Sequence, residues 1–529
     1  MSWFKDSRES RNKHAEAKDA TVSKQRKHSV SVLLLSMMSA LLFVVPSVVL
    51  SVVSPMKSLV DSASSSGSSI EHQVSATSLQ TVCPSRISLP DLTKYGDSQF
   101  HETEGNIKAV ARYGAFGDVY SAQVNGINSK DDQYTDLKTA DADDYSSALF
   151  AESTVDNEAQ ILKGNLSEAS SGTGIASAYA SWATQGDMRG IAASTCSNPS
   201  MRSSFLIPES KTGVSIKLVV VNTSSKATVI NVSAWSYEHG SQPVNLSTGS
   251  AFAVQAKSKV SFDVSAAISH SEGSYIQVVS DQTPVASYVD VIRSEGLSPK
   301  GIDVIKTLSP SSKTSIMPGV LAQDQTKLYI WPQKSGHASI SWLTSSGVQK
   351  IKDIDVTSNK VQIVDLGVAP DNVNALTVDS NVDCYTMAQV SRDGSAGQSD
   401  VAYITAVRNQ GNSVIVSPLS AAETTMYVAS ENNQNSSFAI NAYNSRGELI
   451  ASKRYDVAPN SVVEIKGNDI NDKSVMYTLK SKDSLSWGAR LNSRVLSDEN
   501  IASVAWLSPH SLESQHMNIR VSNDPRIVH

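Results

Sequence analysis

Met188–Pro199 reads MRGIAASTCSNP, and its pattern returns later in the chain. Arg189–Pro199, RGIAASTCSNP, aligns with Lys300–Pro310, KGIDVIKTLSP, through a basic residue, Gly, Ile and a proline at the same distance. Asn500–Pro509, NIASVAWLSP, ends alike. A strand-like stretch that recurs in this way closes a repeated unit, and a repeat decides the fold before any other signal.

Four apolar runs end in proline: QTVCP at Pro84, SFLIP at Pro208, TSIMP at Pro318 and VIVSP at Pro418. Beyond the last three come KLVVVN, KLYIWP and TMYVAS, then the alternating runs INVSAWSYEHG, ASISWLTSSG and AINAYNSRG, each reaching a glycine. Hairpin-like pairs then end at Arg293, Arg392 and Arg494. The order never changes, so the units are duplicated. Alternating apolar and polar residues with β-branched and aromatic enrichment mark half-buried strands. Around seven such strands per roughly 100 residues fit an all-β fold of tandem immunoglobulin-like β-sandwiches. The runner-up, a β-propeller, needs about 40–50 residues per blade, so each repeat would have to supply two blades, and no half-repeat similarity is visible.

The expected layout is a basic cytoplasmic tail at 1–28, a transmembrane anchor at 29–53, a Ser-rich linker at 54–72, a divergent sandwich at 73–200 and sandwiches at 201–310, 311–410 and 411–529, the last with a C-terminal tail. VSVLLLSMMSALLFVVPSVVLSVV, from Val30 to Val53, is uncharged and long enough to cross a bilayer. Its basic flank places the N-terminus inside and the bulk of the chain outside the cell membrane, as a single-pass protein.

A formal net charge of -6 argues against nucleic acid as a partner. The three cysteines lack paired spacing for zinc. Cys83 lies on the opening strand of the first unit and Cys196 on its closing strand; these are commonly neighbours in such sandwiches, so a Cys83–Cys196 disulfide is expected, and export permits it. Cys384 reads as a small core residue.

Enzyme-like patterns are sparse. SPMK at Ser54–Lys57 and KTG at Lys211–Gly213 resemble serine-acylase motifs, but in the wrong surroundings. His239, His270 and His337 fall in or near turns. The acidic segment 129–145, with Asp131, Asp132, Asp136, Asp141, Asp143 and Asp144, offers oxygens for calcium without the spacing of a known loop. Trp182, Trp235, Trp331, Trp342, Trp487 and Trp506 could build a sugar-stacking platform, yet Trp235, Trp342 and Tyr443 share one repeat position, as core residues would. Asn222 and Asn231 begin N-x-S/T sequons. Asp187 and Arg189 are the least implausible members of a site confined to the first unit. No catalytic, cofactor-binding or metal-binding residue is assigned.

ASWATQGDMRGIAASTCSNP, followed by KLVVVNTSSKATVINVSAW and VVSDQTPVASYV, resembles a family of membrane-anchored or secreted proteins of unknown function from high-GC Gram-positive bacteria. Gly186, Asp187, Met188, Arg189 and Gly190 carry the likeness, while Asn222 and Thr223 depart from the family's Asn-Pro. The resemblance brings no established activity, only proximity to envelope glycosyltransferases. The expected function is a non-catalytic cell-envelope protein, held to the membrane by its N-terminal helix and presenting sandwiches for adhesion or scaffolding to an envelope glycan or protein. The alternative is an accessory to envelope glycan assembly working with a membrane glycosyltransferase.

Overall fold

A computed structural model describes residues 70–89, 103–129, 133–139, 147–407, 411–513 and 516–521. The tail at 1–28, the apolar run at 29–53 and the linker up to residue 69 lie outside them. Among the described residues no helix is long and apolar enough to cross a membrane. The last linker residues are strand: Ile70–Ser75 pairs with His516–Val521. Residues 73–517 form one compact unit.

That unit is all-β, with antiparallel sheets grouped as sandwiches. In the first, Ser78–Cys83, Gln160–Leu166, Val119–Gly126 and Thr135–Asp136 make one sheet, and Leu149–Thr154, Lys108–Phe116, Gly174–Ala183 and Gly190–Thr195 the other. The strand order is identical in the second sandwich, within Arg202–Lys306, and in the fourth, within Ser413–Leu507, where His510–Ser511 adds a further strand at one edge. The first unit, divergent in sequence, is therefore not divergent in topology. In the third, Val373–Asp393 is a single 21-residue strand that serves both sheets: its first half pairs with Ser312–Pro318 and Gly336–Thr344, its second with Gln325–Pro332 and Ser399–Thr405. No propeller is seen, because the strands of each repeat face one another as two sheets and not as radial blades.

The sandwiches are not beads on a string. Along Val214–Asn222, Ile216, Leu218 and Val220 enter the second sandwich's own core, whereas Val219 and Val221 pack with the core of the first. Tyr329 and Trp331 likewise face the second sandwich while Leu328 and Ile330 stay in the third. Phe116, Ala176 and Ala178 of the first sandwich join the core of the fourth. Each sandwich thus buries the outer face of one sheet against its predecessor, and the first does so against the last. The closing strands Gly190–Thr195, Ser298–Lys306, Ser399–Thr405 and Ala505–Leu507 pack on one another in cyclic order. The result is a closed ring, and burial on both faces explains why KLVVVN, KLYIWP and TMYVAS are nearly continuous apolar runs.

Candidate functional site

The prolines that betrayed the repeat mark the loops by which each sandwich is held. The second sandwich reaches the loop after Pro84 of the first: Lys259 Nζ donates to Ser85 Oγ at 2.9 Å, and the Ser85 N–H to the Tyr288 hydroxyl at 3.4 Å. After Pro208, Arg293 pairs with Glu209 at 2.5 Å and reaches the Tyr403 hydroxyl of the third sandwich at 3.3 Å. At Pro318, Trp506 Nε1 of the fourth donates to the proline carbonyl at 2.9 Å and Arg490 to the Gly319 carbonyl at 2.8 Å. Near Pro418, Arg112 of the first sandwich donates to the Ser417 and Leu419 carbonyls at 2.8 and 2.7 Å.

Where the closing strands meet, one carboxylate gathers amides from the other three sandwiches. Asp400 is fully buried and accepts from the N–H groups of Ile191 at 3.1 Å, Val504 at 2.9 Å and Ile302 at 3.4 Å. Burial holds its carboxyl well above the usual carboxylate range against the pull of those amides. Asp400 stands opposite Arg392 as Gly301 stands opposite Arg293, so the repeat has glycine where its neighbour has a carboxylate. The reason is space: a Cβ on Gly190 would lie 2.6 Å from Asp400 Oδ1, and one on Gly301 2.6 Å from the Val401 nitrogen. Further along, Asp303 accepts from the Tyr403 N–H at 2.8 Å, and burial raises its carboxyl to about 7. Beyond it, Lys306 Nζ lies 2.6 Å from Ser508 Oγ, and Thr195 Oγ1 donates to the Ser508 carbonyl at 2.5 Å. Burial lowers Lys306 to about 8 and His510 to about 4. The neutral His510 ring donates from Nε2 to the Ser177 carbonyl at 3.0 Å.

The structure joins Cys83 to Cys196 with Cα atoms 4.4 Å apart, next to the Val82–Ser197 bridge; Cys384 is a buried free thiol near the middle of the long strand. Asp187 and Arg189 make local bonds. The Asp187 carboxylate accepts from the Thr103 N–H at 2.7 Å and Arg189 Nε donates to the Gly186 carbonyl at 3.1 Å, which pins a turn. Lys211 of KTG pairs with Glu209 at 3.4 Å, and SPMK lies outside the described residues. Of the acidic segment only Asp136 among the named residues is described; it accepts from Gln123 at 3.0 Å. Among the described residues no cluster of three His, Cys, Asp or Glu side chains could hold a metal.

His239 bonds Ser236 at 2.9 Å and His337 pairs with Asp355 at 2.5 Å, while His270 sits in a turn with φ 60°. The tryptophans form no single platform. Trp342 and Tyr443 are core, but Trp235 is half-buried and joins Tyr275, Trp331 and Tyr385 at the seam between the second and third sandwiches. The Asn222 sequon is closed to modification in the folded chain, since its buried amide donates to the Lys226 and Gln255 carbonyls at 2.8 and 3.0 Å. Sequence reasoning missed Asp400, Asp303, Asp324 and Arg490 altogether.

These features define a ring of antiparallel β-sandwiches whose buried charges are spent on contacts between units. The chain belongs to a family of unknown function, DUF5719, which it matches over residues 150–467, more than half its length. The matched region begins inside the first sandwich and ends inside the fourth. No curated protein matches the chain.

Proposed function

We propose that this chain is a non-catalytic, membrane-anchored protein of the cell envelope, whose ring presents rigid outward surfaces for adhesion or scaffolding outside the membrane. The observation that supports the reading is the use made of the strongly perturbed groups. Asp400 and Asp303 accept backbone amides from other sandwiches, and His510 is bonded to a buried carbonyl. Catalysis requires titratable groups converging on an accessible cleft; Asp400 and Asp303 lie in the packed interior, and His510, at the edge of a cleft of about 470 Å³, is 7 % exposed with its ring bonded to the Ser177 carbonyl. The uncharged run at 29–53 supplies the anchor and the basic tail the orientation.

The test has two arms. In cells, the full chain should fractionate with membranes and be cleaved by external protease without loss of the tail at 1–28. In vitro, it should bind isolated envelope while showing no turnover of peptidoglycan or polysaccharide. Release from the membrane fraction at low salt without detergent would break the anchored reading, and reproducible turnover would break the non-catalytic one.

A further inference from the structure

The seam between the fourth and first sandwiches encloses a cleft of about 310 Å³, the lower end of the roughly 300–1,000 Å³ typical of small-ligand sites. It exists because the first sandwich covers only part of a sheet face. On that face the cross-strand pairs Tyr443–Met476, Asn441–Thr478 and Ala439–Lys480 run in sequence. Tyr443 and Met476 are buried, with Phe116 of the first sandwich meeting the Tyr443 ring edge-on at 5.5 Å. Asn441 is half-buried and Lys480 exposed. The opposite wall is Asp118, Ser171, Thr173 and Asn412.

We propose that this cleft binds a neutral, polyhydroxylated ligand, a short oligosaccharide. The inference rests on the contact role proposed above and names the class of molecule contacted. Asn441 Oδ1 accepts from Ser452 at 2.7 Å, which orients the amide and leaves its Nδ2 without a protein partner among the described residues. Thr478, 3 % exposed and lining the cleft, has a hydroxyl with no protein partner. A buried hydroxyl left unsatisfied is costly, and a ligand rich in hydroxyls has both donors and acceptors to offer this row.

The charges argue for a neutral ligand. Asp118 stands on one wall, already accepting from Ser170 and Thr173, and Lys480 on the other, so neither sign prevails. Leu449 supplies exposed apolar surface for the C–H face of a sugar, with the nearly buried edges of Phe116 and Tyr443 beside it, and apolar walls with a few fixed polar groups are the usual make-up of a ligand site.

The same step recurs one joint further on. In the first sandwich Gln80, Lys163 and Gln123 stand side by side across three strands, as Val414, Thr478 and Asn441 do in the fourth. Gln80 and Lys163 line a cleft of about 470 Å³ that Thr223 and Ser224 of the second sandwich complete. Clefts thus stand at two neighbouring joints of the ring.

The experiment is saturation-transfer NMR and equilibrium dialysis on the purified full chain, using neutral tri- and tetrasaccharides of α- and β-linked glucose, galactose, mannose and N-acetylglucosamine. At least one should bind saturably, with a dissociation constant below about 1 mM. Asn441→Ala and Thr478→Val should each weaken it by about fivefold or more, with thermal unfolding unchanged; Thr478→Val keeps the shape of the side chain and so guards against a folding artefact. Lys480→Ala should change it by less than about twofold. No saturable binding of any probe up to about 10 mM, or binding indifferent to both Asn441→Ala and Thr478→Val, overturns the proposal. Envelope binding that persists alongside such a failure would leave the contact role standing and sink the sugar site alone.

Discussion

The seams on either side of the third sandwich share a geometry and differ in chemistry. Toward the second sandwich the seam is aromatic beside the Glu209–Arg293 pair: Trp331 stacks on Tyr275 at 3.8 Å, with Trp235 and Tyr385 at 5.5 and 5.9 Å. Toward the fourth it is ionic. Asp324, fully buried, takes Arg392 Nε at 2.6 Å and Arg490 at 2.9 Å, together with the Leu321 N–H at 2.8 Å. One docking scheme can be sealed either by area or by charge, but the two respond differently to damage. An apolar seam loses stability in proportion to the surface removed, whereas a buried ion cluster fails when one member is lost, because its partners are left charged and dry.

The largest effect should therefore come from Asp324→Ala, which strands Arg490 in the seam; urea unfolding should show a loss of about 3–5 kcal/mol. A loss under about 1 kcal/mol would mean that the cluster is wetter than its burial implies.

Asp303 lies on the closing strand of the second sandwich, against Tyr403 of the third, and its contribution depends on pH. Its folded pKa, about 7, lies above the unfolded value, so its stabilisation is complete below the unfolded pKa near 4 and is lost as pH rises toward 7. Asp303→Asn removes that decline. Relative to the natural protein, the variant should gain stability between pH 4 and 7, by roughly 4 kcal/mol at most. His510, lowered to about 4, acts in the opposite sense: its contribution is present above pH 6.5 and lost as pH falls through 4. A variant-minus-natural difference that is flat across this window would show that Asp303 is ionised throughout.

Replacing the ionic seam by apolar groups sharpens the contrast. Asp324→Leu combined with Arg490→Met should be less damaging than Asp324→Ala, within about 2 kcal/mol of the natural protein, since Arg392 is partly exposed and can turn to water. The smallest effect belongs to the aromatic seam. Trp331 Nε1 is buried without a partner, so Trp331→Phe discards an unsatisfied donor along with some area, and the change should stay within about 1 kcal/mol by thermal or urea unfolding. A larger loss would indicate that the donor has a bound water.

The strands and their order were legible because outward-facing positions alternate, as in Thr228–Ser236 with its strictly alternating burial up to Ala234. The two cysteines of the first unit could be brought together from the repeat alone. Ring closure was not foreseen, although its signal was present: VSIKLVVVN is buried almost throughout, which one buried face cannot explain. Asp303 and Asp400 were invisible for the opposite reason. A lone acid in GIDVI or SDVAY looks like a solvent-facing strand residue, and only contacts between units reveal it as buried. The repeat alignment also slipped at its last turn. Trp506 stands opposite Arg490 as Val304 stands opposite Asp290, so Pro509 and Pro310 are out of register, and Arg494 starts the short helix Arg494–Asp498 instead of ending a strand. That helix takes up chain the other repeats do not have, and proline spacing cannot see it.

The single carboxylate of Asp400 bears on how such a ring can come about. Four identical subunits meeting at one point would bring four carboxyl groups together where the close approach of Gly190 and Gly301 leaves room for one, or none, leaving the amides bare. Fusing the copies into one polypeptide removes that constraint, because each copy can drift separately: Gly190 and Gly301 cleared room, and Asp400 filled it. The centre of this protein is thus a place where symmetry had to be broken for closure to succeed, and a homotetrameric ancestor would have needed a different plug.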